Sequence, residues 1–308
     1  MEITTDIPLH PFLFVGCWNN PNTRTYEKVF ERIRADPITT LILGGDNIYP
    51  FKDEHGNKRY NVGEVEKGFD IARQGKELVY TTLGNHNIGN PEVFDKIKEL
   101  YSITTTYYCV HFADGHSLVF LDSSLFKKGG EPLDKMFEWL KELIGRIGPY
   151  YLVQHYPIAS IRYDDTSILS YKNNLLKIIQ YNLPISILCS HAHLFQHGLI
   201  TFQSTPQTNG ERASPNLGPQ TKEIHQYIVG TGGANLDNPP SLDDTGVSEG
   251  KFFSYTVLHT QKTHGYSRMT APGAFEFVPV SLTVKGGYQK TRSRRRPTRR
   301  SRKQGKRA

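Results

Sequence analysis

Short apolar runs alternate with amphipathic segments through the first two-thirds of the chain. The apolar runs predict buried strands, and apolar residues spaced three or four positions apart predict helices that cover them. The predicted strands lie at 12–16, 39–43, 78–83, 105–112, 117–121, 151–154 and 185–189. The predicted helices lie at 26–34, 65–73, 92–100, 136–147 and 175–181. This alternation is typical of an α/β fold with a largely parallel sheet.

The last third of the chain has a different pattern. After His193 the sequence is β-rich, with predicted strands at 199–202, 227–229, 252–258 and 274–284. Two segments, 204–222 and 235–250, are rich in proline, glycine, asparagine and serine and are predicted to be surface loops. The whole pattern favours two sheets face to face with helices outside. Residues at the carboxyl ends of the strands then meet at one crevice.

Charge is concentrated at one end of the chain. Eleven of the 37 basic residues lie between Lys290 and Arg307. The rest of the chain therefore has 26 basic and 30 acidic residues and is mildly acidic. The tail, 288–308, has no large aliphatic residue and is predicted to be disordered. Arg-rich runs of this kind bind nucleic acid or other polyanions, or act as nuclear-import signals; a solubilising tail is the alternative. The candidate nucleic-acid-binding residues of the run are Arg294, Arg295, Arg296, Arg299 and Arg300.

Three further features exclude classes of protein. The cysteines Cys17, Cys109 and Cys189 form an odd, sparse set in apolar contexts, which argues against a disulfide framework. The N-terminus has two acidic residues and no basic region, and its apolar run is very short, so no signal peptide is predicted. No apolar stretch approaches the roughly 20 residues that span a bilayer. We expect an intracellular protein, cytoplasmic or nuclear, with no membrane partner.

Polar clusters follow four of the predicted strands, in the segments GGDNIYP, LGNHN, QHYP and SHAH. Taken singly these are weak signals, since Gly-Asp is usually a turn and His-x-His is often a surface or core pair. Jointly they predict a metal centre, because strand ends converge and because oxygen and imidazole donors suit Mn, Fe or Zn. The candidate residues are Asp46, Tyr49, Asn85, His86, His155, His191 and His193.

In the order and spacing of these motifs the chain resembles the calcineurin-like metallophosphoesterases. Within them it is similar to the small purple acid phosphatases of the tartrate-resistant type, which carry a tyrosine three residues after the aspartate. The matching segments are GDN-x-Y at 45–49, GNH at 84–86, HYP at 155–157 and LCxHxH at 188–193. The resemblance implies a four-layer α-β-β-α sandwich of two mixed sheets. It places the phosphoesterase domain at 1–287 and the Arg/Lys-rich tail after it.

The same resemblance implies a role for each residue of the centre. Asp46 bridges two metal ions, iron paired with zinc, manganese or a second iron. Asn85, His155 and His191 complete one metal site, and Tyr49 and His193 belong to the other. His86 contacts the substrate and assists the leaving group.

The implied reaction is that of an acid-phosphatase-like phosphomonoesterase. The two ions acidify a shared water, and the metal-bound hydroxide attacks the phosphorus in line. Two other functions stay open: a degenerate fold that acts as a binding scaffold, and a nuclease of the same superfamily.

The pattern breaks at three positions. Cys17 stands where the family carries a metal-binding aspartate; it either ligates a softer ion such as zinc, or is an inert buried thiol, or marks a weakened second site. Asp164 stands where relatives carry a second pocket histidine. Arg162 lies nearby as a candidate phosphate ligand, with a solvated surface arginine as the alternative. Asn87 replaces an acidic residue after His86, which predicts a less firmly oriented imidazole.

Overall fold

The computed structural model describes residues 1–88, 90–162, 168–204, 220–238 and 253–282. Two sheets dominate this part of the chain. The larger contains, in spatial order, β1 (Glu2–Thr4), β7 (Tyr108–His111), β8 (Ser117–Phe120), β9 (Tyr150–Val153), β10 (Ser186–Cys189), β12 (Gln220–Val229), β11 (Phe195–Ser204) and β13 (Phe253–Gln261). The smaller contains β15 (Ala274–Pro279), β14 (Gly265–Ala271), β2 (Phe12–Val15), β3 (Thr40–Leu43) and β6 (Leu78–Thr81).

Short elements and helices complete the fold. A two-stranded ribbon pairs β4 (Phe51–Lys52) with β5 (Lys58–Arg59). The helices are α1 (Thr25–Ala35), α2 (Val62–Arg73), α3 (Asn85–Ile88), α4 (Pro91–Leu100), α5 (Leu125–Lys128), α6 (Glu131–Ile144) and α7 (Leu169–Ile179). Among the described residues, none of these helices has the length and apolarity to cross a membrane.

The alternation of side chains along β2 shows how the layers are stacked. Phe12 and Phe14 point towards the larger sheet and share a buried cluster with Tyr151 of β9. Leu13 and Val15 point the other way and pack under α1 and α2. On the far side of the larger sheet a third cluster lies beneath α6 and α7. The layers therefore run α-β-β-α, which confirms the predicted four-layer sandwich of two mixed sheets.

The structure differs from the predicted elements in several places. The alternation of elements alone predicted a largely parallel sheet, but β7–β8, β11–β12 and β11–β13 of the larger sheet pair antiparallel, in agreement with the mixed sheets that the resemblance implied. The helix predicted at 136–147 begins at Glu131, and its first turn holds a proline and acidic residues. The helix predicted at 175–181 begins at Leu169, although asparagines in its first half have low helix propensity.

One strand of the smaller sheet, β14, was not predicted. Its sequence, GYSRMTA, contains no apolar run, yet it pairs antiparallel with β2 and with β15. Pairing with distant strands decides its conformation, which local propensity does not. The strand predicted at 274–284 ends at Pro279. The polar segment 204–222 starts and ends within β11 and β12, and 205–219 and 239–252 lie outside the described residues.

Parallel strands bring the predicted polar clusters to one edge of the sandwich. In the smaller sheet β2, β3 and β6 pair in parallel register, and in the larger sheet β9 and β10 do the same. Their carboxyl ends lead into the loops that carry Cys17, Asp46, Asn85, His155 and His191. The candidate centre therefore lies where the two sheets end together.

Candidate metal centre

Two glycine-containing turns approach each other closely enough to place Asp46 at the centre. A Cβ atom added to Gly84 would overlap Asp46 Oδ1, and one added to Gly45 would lie 2.9 Å from Gly84 N. Gly45 also adopts a positive φ of 87°, which favours glycine. The GGD and GNH segments thus need glycine in order to bring the aspartate and asparagine together.

Asp46 is buried and surrounded by donors. Its Oδ1 accepts a hydrogen bond from the backbone N–H of His86 (3.0 Å), and its Oδ2 accepts one from the Tyr49 hydroxyl (3.1 Å). Burial opposes ionisation, but the positive charge that His155 and His86 carry when protonated, together with the hydrogen bond from His155, outweighs it and holds the pKa of Asp46 well below its usual range. Asp46 is therefore a carboxylate, the state in which it can bind cations.

The first group of ligand atoms gathers around His155. Its Nε2 lies 3.3 Å from Asp46 Oδ2, 3.1 Å from Asn85 Oδ1 and 3.2 Å from His191 Nδ1. These separations match the spacing of about 3.3 Å between ligand atoms around one tetrahedral ion with bonds of 2.0–2.1 Å. Asp46, His155 and His191 form a set able to hold one metal ion.

The hydrogen bonding of His155 fixes which ring nitrogen faces this group. Nδ1 lies 2.9 Å from the carbonyl oxygen of Gly44, which can only accept, so Nδ1 carries the hydrogen. When the ring is protonated, its Nε2–H can donate to Asp46; when the ring is neutral, Nε2 is a bare lone pair directed at the anionic Asp46 and at the Asn85 oxygen. A cation between these atoms would stabilise such a convergence of acceptors, and an Nδ1–H donated to a carbonyl is the usual support of a metal-binding histidine.

The second group shares Asp46 with the first. Cys17, Asp46 and His193 form another set whose ligand atoms all lie within 4.8 Å of one another. The Tyr49 hydroxyl lies between its members, 2.9 Å from His193 Nε2. His193 Nδ1 lies 2.8 Å from the carbonyl oxygen of Asn235, so its tautomer is fixed as in His155. Asp46 is thus the residue common to two adjacent ligand groups.

Cys17 lies inside this second group. Its side chain is fully buried, and its Sγ accepts a hydrogen bond from the backbone N–H of His191 (3.2 Å). Burial, followed by the charge of Asp46, raises the pKa of the Cys17 thiol. The cysteine therefore occupies a ligand position but is a neutral thiol until a cation displaces its proton.

Three of these residues adopt a backbone conformation that L-residues seldom use. Cys17 has a φ of 53°, Asp46 a φ of 51° and His191 a φ of 64°. Left-handed non-glycine residues carry a conformational cost and gather at functional sites. Here the three residues in this conformation are all candidate ligands, and their side chains point to the same place.

His86 lies next to the shared aspartate. Its ring packs against Tyr49 with the centroids 4.6 Å apart, and its Nδ1 lies 3.3 Å from the Tyr60 hydroxyl. Burial lowers the pKa of His86, although the charge of Asp46 partly offsets this effect. Asn87 does not take the place of an acidic partner for the ring; its Oδ1 accepts from the backbone N–H of Gly84 (2.8 Å) and holds the GNH turn.

Two cationic side chains, Arg162 and Lys127, lie at the edge of the candidate centre, which we call the rim. Arg162 Nε lies 3.6 Å from Asp237 Oδ1, and Asp237 Oδ2 accepts from the backbone N–H of His193 (2.9 Å). The Lys127 ammonium lies 5.0 Å from the centroid of the Tyr156 ring, which packs on the ring of His191 at 4.3 Å. Arg162 was a candidate from the sequence, whereas Lys127 was not, because it belongs to no motif. Asp164 and the arginines of the tail lie outside the described residues.

Comparison with known proteins identifies the class of this fold and site. The calcineurin-like phosphoesterase family model matches residues 10–195, so the chain belongs to that family. Members of this family are generally hydrolases and typically bind two metal ions, and the two ligand groups around Asp46 suit that chemistry. None of the curated proteins matches the chain in sequence.

Solved structures with the same fold include proteins described in different terms. A purple acid phosphatase from yellow lupin seeds superposes with a TM-score of 0.57 at 12% identity, over 88% of this chain and 51% of its own. GAP50, described as the anchor in the inner membrane complex of Plasmodium, gives 0.56 at 10% identity, over 88% of this chain and 89% of its own. PhoD gives 0.56 at 11% identity, over 92% and 74%. At these identities the likeness shows the fold alone.

Proposed function

We propose that this chain hydrolyses phosphoric monoesters with the aid of two metal ions that share Asp46. The observation that carries the proposal is the pair of ligand groups, Cys17–Asp46–His193 and Asp46–His155–His191, which have the aspartate in common. Asn85 adds an amide oxygen to one group and Tyr49 a phenol oxygen to the other. We infer a metal pair of iron with zinc, manganese or a second iron.

The protein's contribution to this reaction is position and charge. When bound, two cations would supply an acidified water and neutralise charge that develops on the phosphoryl oxygens. Gly44 and Asn235 fix the tautomers of His155 and His193 and so keep each Nε2 turned inwards. The tight GGD and GNH turns hold the carboxylate and the amide in place before any ligand arrives, so little reorganisation is left to the reaction.

The rim favours a substrate with two negative charges. Lys127 lies over the ring of Tyr156, which packs on His191. Arg162 pairs with Asp237, which accepts a hydrogen bond from the backbone of His193. A monoester dianion gains more from such cations than a diester with a single charge. His86, held between Tyr49 and Tyr60, is the group we assign to the leaving oxygen, to which its ring N–H donates.

The function is tested with a small aryl phosphate monoester beside the corresponding diester. We expect monoester turnover to dominate, and His86→Ala to reduce kcat by about 10²- to 10⁴-fold, the range of general acid–base assistance, with metal content unchanged. His55→Ala, in the exposed loop between β4 and β5, is the matched control and should leave kcat unchanged. Activity confined to diesters, or a full kcat in His86→Ala, would contradict the proposal.

A second candidate function is that of a binding scaffold. Cys17 stands at a ligand position that the family fills with aspartate, and one neighbour in fold is described as an anchor. A scaffold would have no monoester turnover and no need of bound metal. A nuclease is the third candidate, and nicking of a plasmid in Mn²⁺ would distinguish it.

The tail at 288–308 is proposed to bind polyanions, independently of the phosphoesterase domain at 1–287. Removal of 290–308 takes away eleven positive charges and no negative ones. We expect the truncated protein to lose salt-sensitive retention on DNA and RNA, because charge on the phosphate backbone dominates such binding. Hydrolysis of the aryl phosphate should be unchanged. Retention that survives the truncation would show that the tail is not the binding element.

A further inference from the structure

A third set of candidate ligands lies at the opposite end of the strands from the centre described above. His10, Asp114 and His116 place one ligand atom each within 4.8 Å of the others. His10 precedes β2 whereas Cys17 follows it, and Tyr151, which contacts His10, lies in β9 ahead of His155. The four residues of β2 alone span roughly 13 Å, so this set is separate from the Asp46 centre.

The two imidazoles face one carboxylate oxygen. His10 Nδ1 lies 3.7 Å from Asp114 Oδ2, and His116 Nδ1 lies 3.2 Å from the same oxygen. These values bracket the spacing of about 3.3 Å expected for two ligand atoms around a tetrahedral zinc ion. The two rings are in edge contact with centroids 4.8 Å apart, so both nitrogens point into the same small space.

Both of these nitrogens are buried, and the hydrogen bonds of the described residues leave both of them unsatisfied. The His10 side chain is only 10% exposed, and that of His116 18%. A buried polar atom without a partner is costly and calls for an explanation, for which a bound ion is one of the standard answers. Two such atoms beside one carboxylate oxygen point to the same ion.

The surroundings of the set resemble the support of a metal site. His10 Nε2 lies 2.8 Å from the Tyr151 hydroxyl, which can accept its hydrogen and leave Nδ1 as a lone pair. Asp114 is oriented by two backbone N–H groups: Leu9 donates to Oδ2 (3.1 Å) and His116 donates to Oδ1 (3.2 Å).

We propose that His10, Asp114 and His116 bind a divalent transition-metal ion of the zinc class, separately from the Asp46 centre. Two imidazoles and a carboxylate are ligands that suit Zn²⁺, Co²⁺ or Ni²⁺. Ca²⁺ and Mg²⁺ prefer sites made entirely of oxygen ligands. The ion would connect the segment before β2 to the hairpin between β7 and β8, two parts of the chain about a hundred positions apart. Its role is therefore to hold the two sheets together at the end away from the candidate centre.

The test is the number of Zn²⁺ ions bound per chain after equilibrium dialysis of the full-length protein. Wild type, His116→Gln and Asp114→Asn are compared with His111→Gln, a histidine of the same hairpin that contacts Glu2 and Ser117 instead. We expect one Zn²⁺ fewer in both variants than in wild type and in the control. Turnover of the aryl phosphate should be the same in all four proteins, because the Asp46 centre is intact in each.

Equal zinc counts in wild type and in a folded Asp114→Asn variant would overturn the proposal. The asparagine keeps the size of the side chain and an oxygen for one of the two backbone donors, so this variant decides the question even if His116→Gln does not fold. Because the comparison is a difference between variants, it stands whether or not the Asp46 centre proves to be a phosphatase.

Discussion

Replacement of Asp46 by asparagine is expected to reduce hydrolysis of an aryl phosphate by about a thousandfold or more. Asp46 is the residue shared by the two ligand groups, and an amide removes the negative charge that both cations would use. Two-metal sites supply several kcal/mol of transition-state stabilisation, and each 1.36 kcal/mol corresponds to a factor of ten. The measurement is kcat/KM at saturating metal, with metal content determined on the same sample.

This substitution separates a chemical effect from a folding defect. Asparagine tolerates the left-handed conformation of position 46, φ 51°, and its amide oxygen can still accept from the His86 N–H. We therefore expect the variant to be folded. Asp53→Asn is the matched control, since Asp53 lies in the exposed loop between β4 and β5 and its carboxylate orders that loop. If Asp46→Asn were as active as Asp53→Asn, the proposal that a metal centre at Asp46 carries the hydrolysis would be contradicted.

Replacement of Cys17 is expected to change which metal the second group binds. A thiolate favours Zn²⁺, whereas a carboxylate favours harder ions such as Mn²⁺ and Fe³⁺. Cys17→Asp should therefore exchange a zinc preference for a manganese or iron preference. Cys17→Ala should lose the second ion and, with it, about a hundredfold in activity, in line with the loss of one electrostatic contributor. The φ of 53° at this position suits aspartate better than it suits cysteine, so the Asp variant gains rather than loses local compatibility.

The control for these variants is Cys109→Ala, a buried cysteine of β7 that belongs to the core cluster under α6. It should leave metal content and activity unchanged. If Cys17→Ala keeps two ions and full turnover, the thiol is an inert buried side chain and Asp46, Tyr49 and His193 hold the second ion without it. If Cys17→Asp raises activity with every metal tested, the cysteine marks a weakened site.

Two parts of the prediction follow from local rules: two sheets with helices outside, and polar residues that meet at one crevice. The four-layer sandwich of mixed sheets and the roles of the individual residues were implied by the family resemblance instead. Apolar runs identified β2, β3, β6, β9 and β10, and polar residues just beyond them had to meet at the carboxyl edge. Position along a strand also explains why Asp46 and His155 could be paired without any knowledge of their contacts. β14 escaped prediction because its strand conformation depends on β2 and β15.

Other features needed three-dimensional contacts. The backbone carbonyl groups of Gly44 and Asn235 fix the tautomers of His155 and His193. Every residue has such a group, so the sequence does not indicate which ones play this role. Lys127 reaches the rim from α5 through the ring of Tyr156. His10 and Asp114 are 104 positions apart, so their meeting depends on how the segment before β2 packs against the β7–β8 hairpin. In each case the missing information was packing between segments distant in sequence.

The central claim, a two-metal centre that shares Asp46, is tested most directly by counting metal ions in purified wild-type protein and in Asp46→Asn while monoester turnover is followed. To keep the third site out of the count, both proteins should carry Asp114→Asn. We expect two ions per chain with measurable turnover in the protein that retains Asp46, and at most one ion with turnover reduced by about a thousandfold in the Asp46→Asn protein. The same metal content and the same turnover in both proteins would contradict it.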